Sequence, residues 1–199
     1  MTTAGNRLPP DGAEGVAPIE RLAEAAHEVF VRAMRAAGHV YGPVTDPVAR
    51  THSALRPYAA LSEDEKEQNR STVRDIPAKL AVAGYQLVPQ PGDRVPFAFP
   101  ADELEELSRL EHVRWVRSKV GAGWRYADQT DKPRKLHRSL VPWRRSTPAE
   151  LAHDYTATEI AALGPGELSE DEREKDRVMV RGIPEILAQA GLTLVGATP

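Results

Sequence analysis

The chain of 199 residues contains no cysteine, which excludes disulfides, thiolate nucleophiles and cysteine-ligated metals. Aromatic residues make up only 6% of it, so its three tryptophans stand out. No apolar run approaches the ~20 residues that a membrane helix needs. The net charge of −3 provides no overall basic field for duplex nucleic acid. We therefore expect a soluble, cytoplasmic protein that binds neither a membrane nor duplex nucleic acid.

Signatures of catalysis are also missing from the sequence. It has no nucleophile elbow, Walker loop, dinucleotide glycine fingerprint or HExxH motif. His52 and His137 follow Asp46 and Asp131 at the same spacing, but no third metal ligand or nucleophile stands nearby. A hydrogen bond that fixes a loop is the favoured interpretation, and a proton shuttle or one arm of a metal site is the alternative. We therefore expect that the protein is not an enzyme and that it binds neither a cofactor nor a metal.

The sequence contains an internal repeat. Leu22–Tyr58 aligns with Leu107–Trp143 at an offset of 85, and Leu61–Val88 aligns with Leu168–Val195 at an offset of 107. The second copy therefore has 107 − 85 = 22 additional residues, which we place in an insert at 144–167. The pentapeptide LSEDE opens a helix in both copies, with Ser62 and Ser169 as N-caps.

Each copy predicts a helix, a structured polar loop, a second helix and a short terminal strand. Pro77 and Pro184 are expected to kink or restart the second helices. We assign a disordered leader to 1–17, the first repeat to 18–90, a linker to 91–100 and the second repeat to 101–199. The insert is expected to form a helix that starts after Ser146 or Thr147. The insert could act as a lid over the neighbouring cleft, form an oligomer contact, or have no function of its own, and the sequence leaves all three open.

Several motifs of the second copy occur together in one known family. They are HVRW, GWRY, DKPRKLHRSLVPW, LSEDEREKDR, IPEIL and GLTLV. The sequence resembles the RyR domain, the repeat named after ryanodine receptors and also found in bacterial proteins. The first copy is the weaker match, because Phe30 and His39 replace two tryptophans and Asn69 replaces the acid before Arg70.

The resemblance implies a mainly α-helical fold in which two helix–loop–helix repeats, with short terminal β-strands, form one compact domain as a pseudo-two-fold tandem. It implies no catalytic residues, because the family is not defined by an active site. It also suggests the sensing of nucleotides, in particular NAD-derived ones of the ADP-ribose type.

Aromatic rings and cations are concentrated around the loop of the second copy. Rings stack on bases, and arginine or lysine binds phosphate through charge-assisted hydrogen bonds. The alternative is that the tryptophans belong to the core and the cations to a solvated rim. The predicted ligand-binding residues are Arg117, Trp124, Tyr126, Arg134, Lys135, His137 and Trp143, with His39, Tyr41, Arg50 and His52 as their first-copy counterparts.

Three functions follow from these residues. We expect a non-enzymatic sensing module that binds a small anionic molecule, a nucleotide in the first place. A module for protein interaction or assembly, with a protein partner or a homodimer, is the alternative, and a nucleotide-processing enzyme is the least favoured. The two loops meet at one cleft or lie at opposite ends, and both arrangements remain open. His27 and His112 are expected to be buried with satisfied hydrogen bonds, and Glu174, Asp176 and Arg177 to form a helix surface with local ion pairs.

Overall fold

The computed structural model describes residues 7–8, 18–46, 48–92 and 97–196, and its fold is mainly α-helical, as predicted. Most of the predicted leader and residues 93–96 of the predicted linker lie outside the described residues. The helices are α1 (Pro18–Ala36), α2 (Glu63–Val82), α3 (Ala101–Gly121), α4 (Pro148–Asp154), α5 (Ala157–Ala162), α6 (Glu170–Arg181) and α7 (Ile183–Ala188), with a 3-10 turn at Tyr58–Ala60. The strands are β1 (Val40–Tyr41), β2 (Thr51–His52), β3 (Tyr85–Pro89), β4 (Arg125–Tyr126), β5 (Leu136–His137) and β6 (Leu192–Gly196).

The chain divides into two compact units. The first contains the described parts of 1–104 and 178–199, and the second contains 105–177. In the first unit α1 packs against α2 and α7. Its interior is formed by fully buried aliphatic residues, among them Leu22, Val73, Ile76, Leu80 and Leu187. In the second unit Val113, Val116, Leu140 and Tyr155 form one buried cluster.

The strands that end the two repeats pair with each other inside the first unit. β3 and β6 are antiparallel, and Leu87 lies opposite Leu194. These two leucines are equivalent in the repeat, since 87 + 107 = 194. The register is therefore symmetric: Tyr85 pairs with Gly196, and Pro89 pairs with Leu192.

The loop after the first helix has the same backbone in both repeats. β1 and β2 form a short parallel pair, and β4 and β5 form its equivalent. Arg50 and Lys135 adopt left-handed conformations, with φ of 50° and 55°. Such values are uncommon for residues other than glycine. The left-handed turn brings each long cationic side chain back to a carbonyl near the end of the preceding helix, at Ala37 and Ala122.

Two histidines anchor these loops to the helices. His27 Nε2 donates to the carbonyl of Arg56 at 2.7 Å, and His112 Nε2 donates to that of Val141 at 2.8 Å. Both imidazoles are buried, so the prediction of satisfied core histidines is confirmed. Because a carbonyl can only accept, Nε2 carries the proton in each ring.

Each repeat also contains an arginine that binds three carboxylates. Arg70 pairs with Glu20, Glu63 and Glu67, and Arg177 with Glu105, Glu170 and Glu174 at the equivalent positions. The two arginine side chains are only 16% and 14% exposed. The prediction of local ion pairs is therefore confirmed for Arg177, but its place on a helix surface is wrong, because the side chain is mostly buried and also binds Glu105 of another helix.

Asp176 was also predicted to lie on that surface, and it does not. Its carboxylate faces His112 Nδ1 at 3.4 Å. Burial raises the pKa of Asp176, while the nearby imidazole acts in the opposite direction. Helical periodicity alone could not reveal this, because the neighbour comes from a different helix.

The predicted helix starts are present, and the two prolines behave differently. Ser62 and Glu65 form a complete capping box, and Ser169 Oγ accepts from the Glu172 amide at 3.4 Å. The helix α2 continues through Pro77, whereas in the second repeat α6 ends and α7 begins just before Pro184.

Gly182 lies at the junction between α6 and α7 and is buried. A Cβ atom at this position would come within 2.5 Å of the Val29 side chain. The junction therefore depends on the absence of a side chain, and α1 can approach it closely.

Candidate functional site

The loop of the second repeat is fixed at the end of α3. Lys135 Nζ donates to the carbonyl of Ala122 at 2.8 Å. The negative end of the helix dipole also favours a cation at this place. Asp131 Oδ1 accepts from the Arg134 amide at 3.1 Å and holds the turn before Lys135. Lys135 is therefore a helix cap, and its ammonium is already engaged in a hydrogen bond to this carbonyl.

Half-buried aromatic rings lie behind this loop. The rings of Trp115 and His137 meet edge to face at 4.9 Å, and Trp124 lies 6.0 Å from His137. Lys119 Nζ lies 4.5 Å from the centroid of the Trp124 ring, a cation–π distance. An indole ring of the loop, Trp124, and a cation of α3, Lys119, therefore lie together.

His137 contributes a neutral ring to this group. Burial, together with the charge of Lys119, lowers the pKa of His137 to about 4. Its Nδ1 accepts from the Ser139 amide at 3.1 Å, which also requires an unprotonated nitrogen. At neutral pH His137 can therefore offer a ring face or a hydrogen bond to a ligand, but no positive charge.

Arg134 is a strongly exposed member of the predicted binding cations. Its side chain is 80% exposed, and its Nε lies 3.7 Å from an Asp131 carboxylate oxygen, which is a weak surface pair. The surrounding sequence is strongly basic: residues 117–145 contain nine lysines and arginines and two aspartates, 9 − 2 = +7. This local charge contrasts with the net charge of −3 for the whole chain.

Trp143 lies in the interior rather than beside Arg134. It is only 4% exposed. The guanidinium carbons of Arg173 and Arg177 lie over its ring, 5.7 and 5.9 Å from the ring centroid. Its carbonyl accepts from Arg173 Nε. In this conformation Trp143 supports the fold of the second unit and has little surface to offer a ligand.

The insert contacts two of the other predicted residues. Arg117 pairs with Glu159 at 3.1 Å and donates to the carbonyl of Asp154. Gly164 lies against Tyr126 so closely that a Cβ would approach its ring within 2.3 Å. The Tyr126 hydroxyl donates to Asp128, and this bond raises the pKa of Tyr126.

The insert itself is anchored in the second unit. Tyr155, between α4 and α5, is buried in the cluster that contains Val113, Val116 and Leu140. Instead of the single predicted helix, two short helices form, because Thr156 and Glu159 make a second capping box after that of Thr147. The sequence TATE contained this signal.

The four predicted residues of the first repeat belong to the first unit. His52 accepts from the Ala54 amide through Nδ1 and meets Phe30 edge to face at 5.1 Å, as His137 meets Trp115. Arg50 donates to the carbonyl of Ala37. His39 is partly buried, whereas Tyr41 is 55% exposed. The first loop therefore has the same frame with fewer large rings.

Sequence reasoning missed the residues that tie the second loop to its surroundings. Lys119 was not among the predicted binding residues. Glu159 and Gly164 have no local signal, because their partners lie about 40 residues away in the chain. Among the described residues, no group of three or more histidines and carboxylates is arranged to hold a metal ion.

Comparison with protein families supports the resemblance for part of the chain. The RyR domain model matches residues 13–89, which correspond to the first repeat. This match supports the RyR family for that segment. Among the described residues, no helix is long and apolar enough to cross a bilayer.

Proposed function

We propose that the protein is a non-enzymatic, cytoplasmic sensing module whose second-repeat loop binds a small anionic molecule, with a nucleotide of the ADP-ribose type as the preferred class. The observation that carries the proposal is the combination of the exposed Arg134 with the indole of Trp124 on one loop. Nucleotides offer both a phosphate and a flat base to such a surface.

The framework of the loop supports this proposal. Lys135 and Asp131 fix the turn through the Ala122 carbonyl and the Arg134 amide. A loop that is already ordered loses less conformational entropy when it binds a ligand. Arg134 is then presented from a defined backbone position.

We also propose that two RyR repeats form a pseudo-two-fold tandem. The support is the symmetric register of β3 and β6, in which the equivalent Leu87 and Leu194 face each other. The same hydrogen bonds also recur at equivalent positions in the two loops, at His27 and His112 for example. An experimental structure in which the repeats are not related by a rotation near 180° would contradict this proposal.

A ligand panel tests the proposed class of molecule. The full chain is titrated with ADP-ribose, AMP and inorganic phosphate, and tryptophan fluorescence is followed. Trp115 and Trp124 lie beside the loop, so a bound base should change their emission. We expect ADP-ribose and AMP to bind with saturable signals and phosphate to bind weakly. Equal responses to all three probes would exclude recognition of a base.

The alternative function, a protein-interaction module, is favoured by a separate observation. The loop of the first repeat exposes a concentration of apolar side chains, including Val44 and Val48. These residues are distant in sequence from the loop around Arg134, so both functions can belong to one chain.

A further inference from the structure

The ammonium of Lys119 lies over an indole ring of the candidate site. Its Nζ is 4.5 Å from the centroid of the Trp124 ring and 5.9 Å from that of Trp115. Both distances are within the range of about 6 Å that a cation–π contact allows. Lys119 belongs to the last turn of α3, and its carbonyl accepts from the Trp124 amide at 3.0 Å. The backbone therefore holds the ring and the ammonium close together.

The fold does not require a cation at this position. Met34 is the equivalent residue of the first repeat, since 34 + 85 = 119, and it is buried. Its carbonyl accepts from the His39 amide at 3.0 Å, as the carbonyl of Lys119 accepts from the Trp124 amide. The same backbone is thus formed around an apolar side chain in one repeat and around an ammonium in the other.

The rings beside Lys119 attract its ammonium without neutralising it. Trp115 and Trp124 offer uncharged indole faces. His137, which meets both indoles edge to face, is also uncharged at neutral pH, because burial and the charge of Lys119 lower its pKa. A hydrogen bond between an ammonium and an anion is stronger than the contact of an ammonium with a ring. An anion that reaches Lys119 can therefore draw it away from the indole.

A base and the ammonium of Lys119 compete for the same face of Trp124. A base that stacks there has to displace the ammonium, which then loses its contact with the ring. An uncharged nucleoside brings no charged group in exchange. A nucleotide brings a phosphate, whose oxygens accept charge-assisted hydrogen bonds. Only the nucleotide can thus compensate Lys119 for the lost contact.

On the basis of the function proposed above, we infer that Lys119 makes the second-repeat loop selective for phosphorylated nucleosides over nucleosides. The base takes the place of the ammonium on the Trp124 ring, and the phosphate of the same molecule binds the displaced ammonium. Arg134 adds a second cation from the loop.

Calorimetric titration of the full chain with AMP and with adenosine, in the wild type and in Lys119→Ala, tests this selectivity. Adenosine should bind the variant about two- to fivefold more tightly, because no ammonium has to leave the ring. AMP should bind it at least about fivefold more weakly, since the lost contact with phosphate outweighs the gain at the ring. A damaged fold would instead weaken the binding of both ligands.

Lys132→Ala is the matched control. It removes the same charge from an exposed position on the loop, and it should leave the affinity for adenosine unchanged. An equal gain of adenosine affinity in this control would assign the effect to net charge and overturn the role of Lys119.

Two further results would overturn that role. They are adenosine binding that is no tighter in Lys119→Ala than in the wild type, and AMP binding that is not weakened in the variant. In both cases the wild type still binds AMP, so the proposed function stands and only the role of Lys119 is lost. A wild type that binds no AMP would contradict both.

Discussion

Replacing Arg177 by alanine tests whether the three-carboxylate arrangement stabilises the fold. Arg177 Nε binds Glu105 at 2.9 Å, and its side chain is 14% exposed. One charge-assisted bond of this kind contributes about 1.5–3 kcal/mol. The more exposed Glu170 and Glu174 add about 0–1 kcal/mol, and the contact with the Trp143 ring adds about 0.5–1 kcal/mol. We expect Arg177→Ala to lower the free energy of unfolding by about 3 kcal/mol at neutral pH.

The dependence of this loss on pH separates the charge contribution from packing. The bond from Arg177 is the main cause that lowers the pKa of Glu105 in the folded protein. A lowered carboxyl pKa stabilises the fold above the unfolded-state pKa, and this stabilisation disappears as the pH falls through the folded-state pKa. The difference between wild type and variant should therefore shrink below about pH 4.

Urea unfolding at neutral and acidic pH, followed by far-UV circular dichroism, measures both effects. Arg21→Ala is the control, because Arg21 is exposed on α1 and its loss should cost less than about 0.5 kcal/mol. An equally small loss for Arg177→Ala at neutral pH would refute the stabilising role. A large loss that is independent of pH would assign the effect to packing.

Three further changes have defined outcomes. Gly182→Ala should destabilise the fold by about 1–3 kcal/mol in urea unfolding, because the new Cβ meets Val29 in a packed interior. Glu159→Gln should tighten the binding of ADP-ribose up to about fivefold in calorimetry, since it removes a carboxylate that competes for Arg117. Stability should decline as the pH falls from about 6.5 to about 4, because His137 stays neutral in the folded protein while the unfolded chain takes up a proton. His137→Asn, which can keep the hydrogen-bond acceptor, should reduce that decline.

Each of these outcomes has a clear contrary result. A stable Gly182→Ala protein would mean that the α6–α7 junction relaxes at little cost. Unchanged affinity in Glu159→Gln would leave Arg117 outside the binding site. An unchanged pH profile in His137→Asn would assign the decline to groups other than His137.

Features encoded by neighbouring residues could be predicted from the sequence. The capping box of Ser62 and Glu65 follows from a short motif, and the repeat itself predicted that His27 and His112 would behave alike. Burial of Trp143 could not be predicted in the same way. Its environment depends on arginines that lie 30 or more residues later in the chain.

The candidate site shows the same limit. The exposure of Arg134 could be predicted from its place in a polar turn. The left-handed backbone of Lys135 and its hydrogen bond to the Ala122 carbonyl could not, because both depend on the geometry of the whole loop. The contact of Gly164 with Tyr126 comes from the insert, which has no counterpart in the first repeat. Residue type therefore indicated the chemistry of the loop, and tertiary packing decides which side chains are available for it.

The most direct test of nucleotide sensing is calorimetric titration of the wild type and Arg134→Ala with ADP-ribose. The first repeat has Ala49 at the equivalent position, so alanine is compatible with this turn. Loss of one charge-assisted contact with phosphate should cost about 1.5–3 kcal/mol, which is more than about tenfold in affinity. The melting temperature should not change, because the side chain is 80% exposed. Equal dissociation constants for the two proteins, or no binding by the wild type, would contradict the proposal that this loop senses a nucleotide.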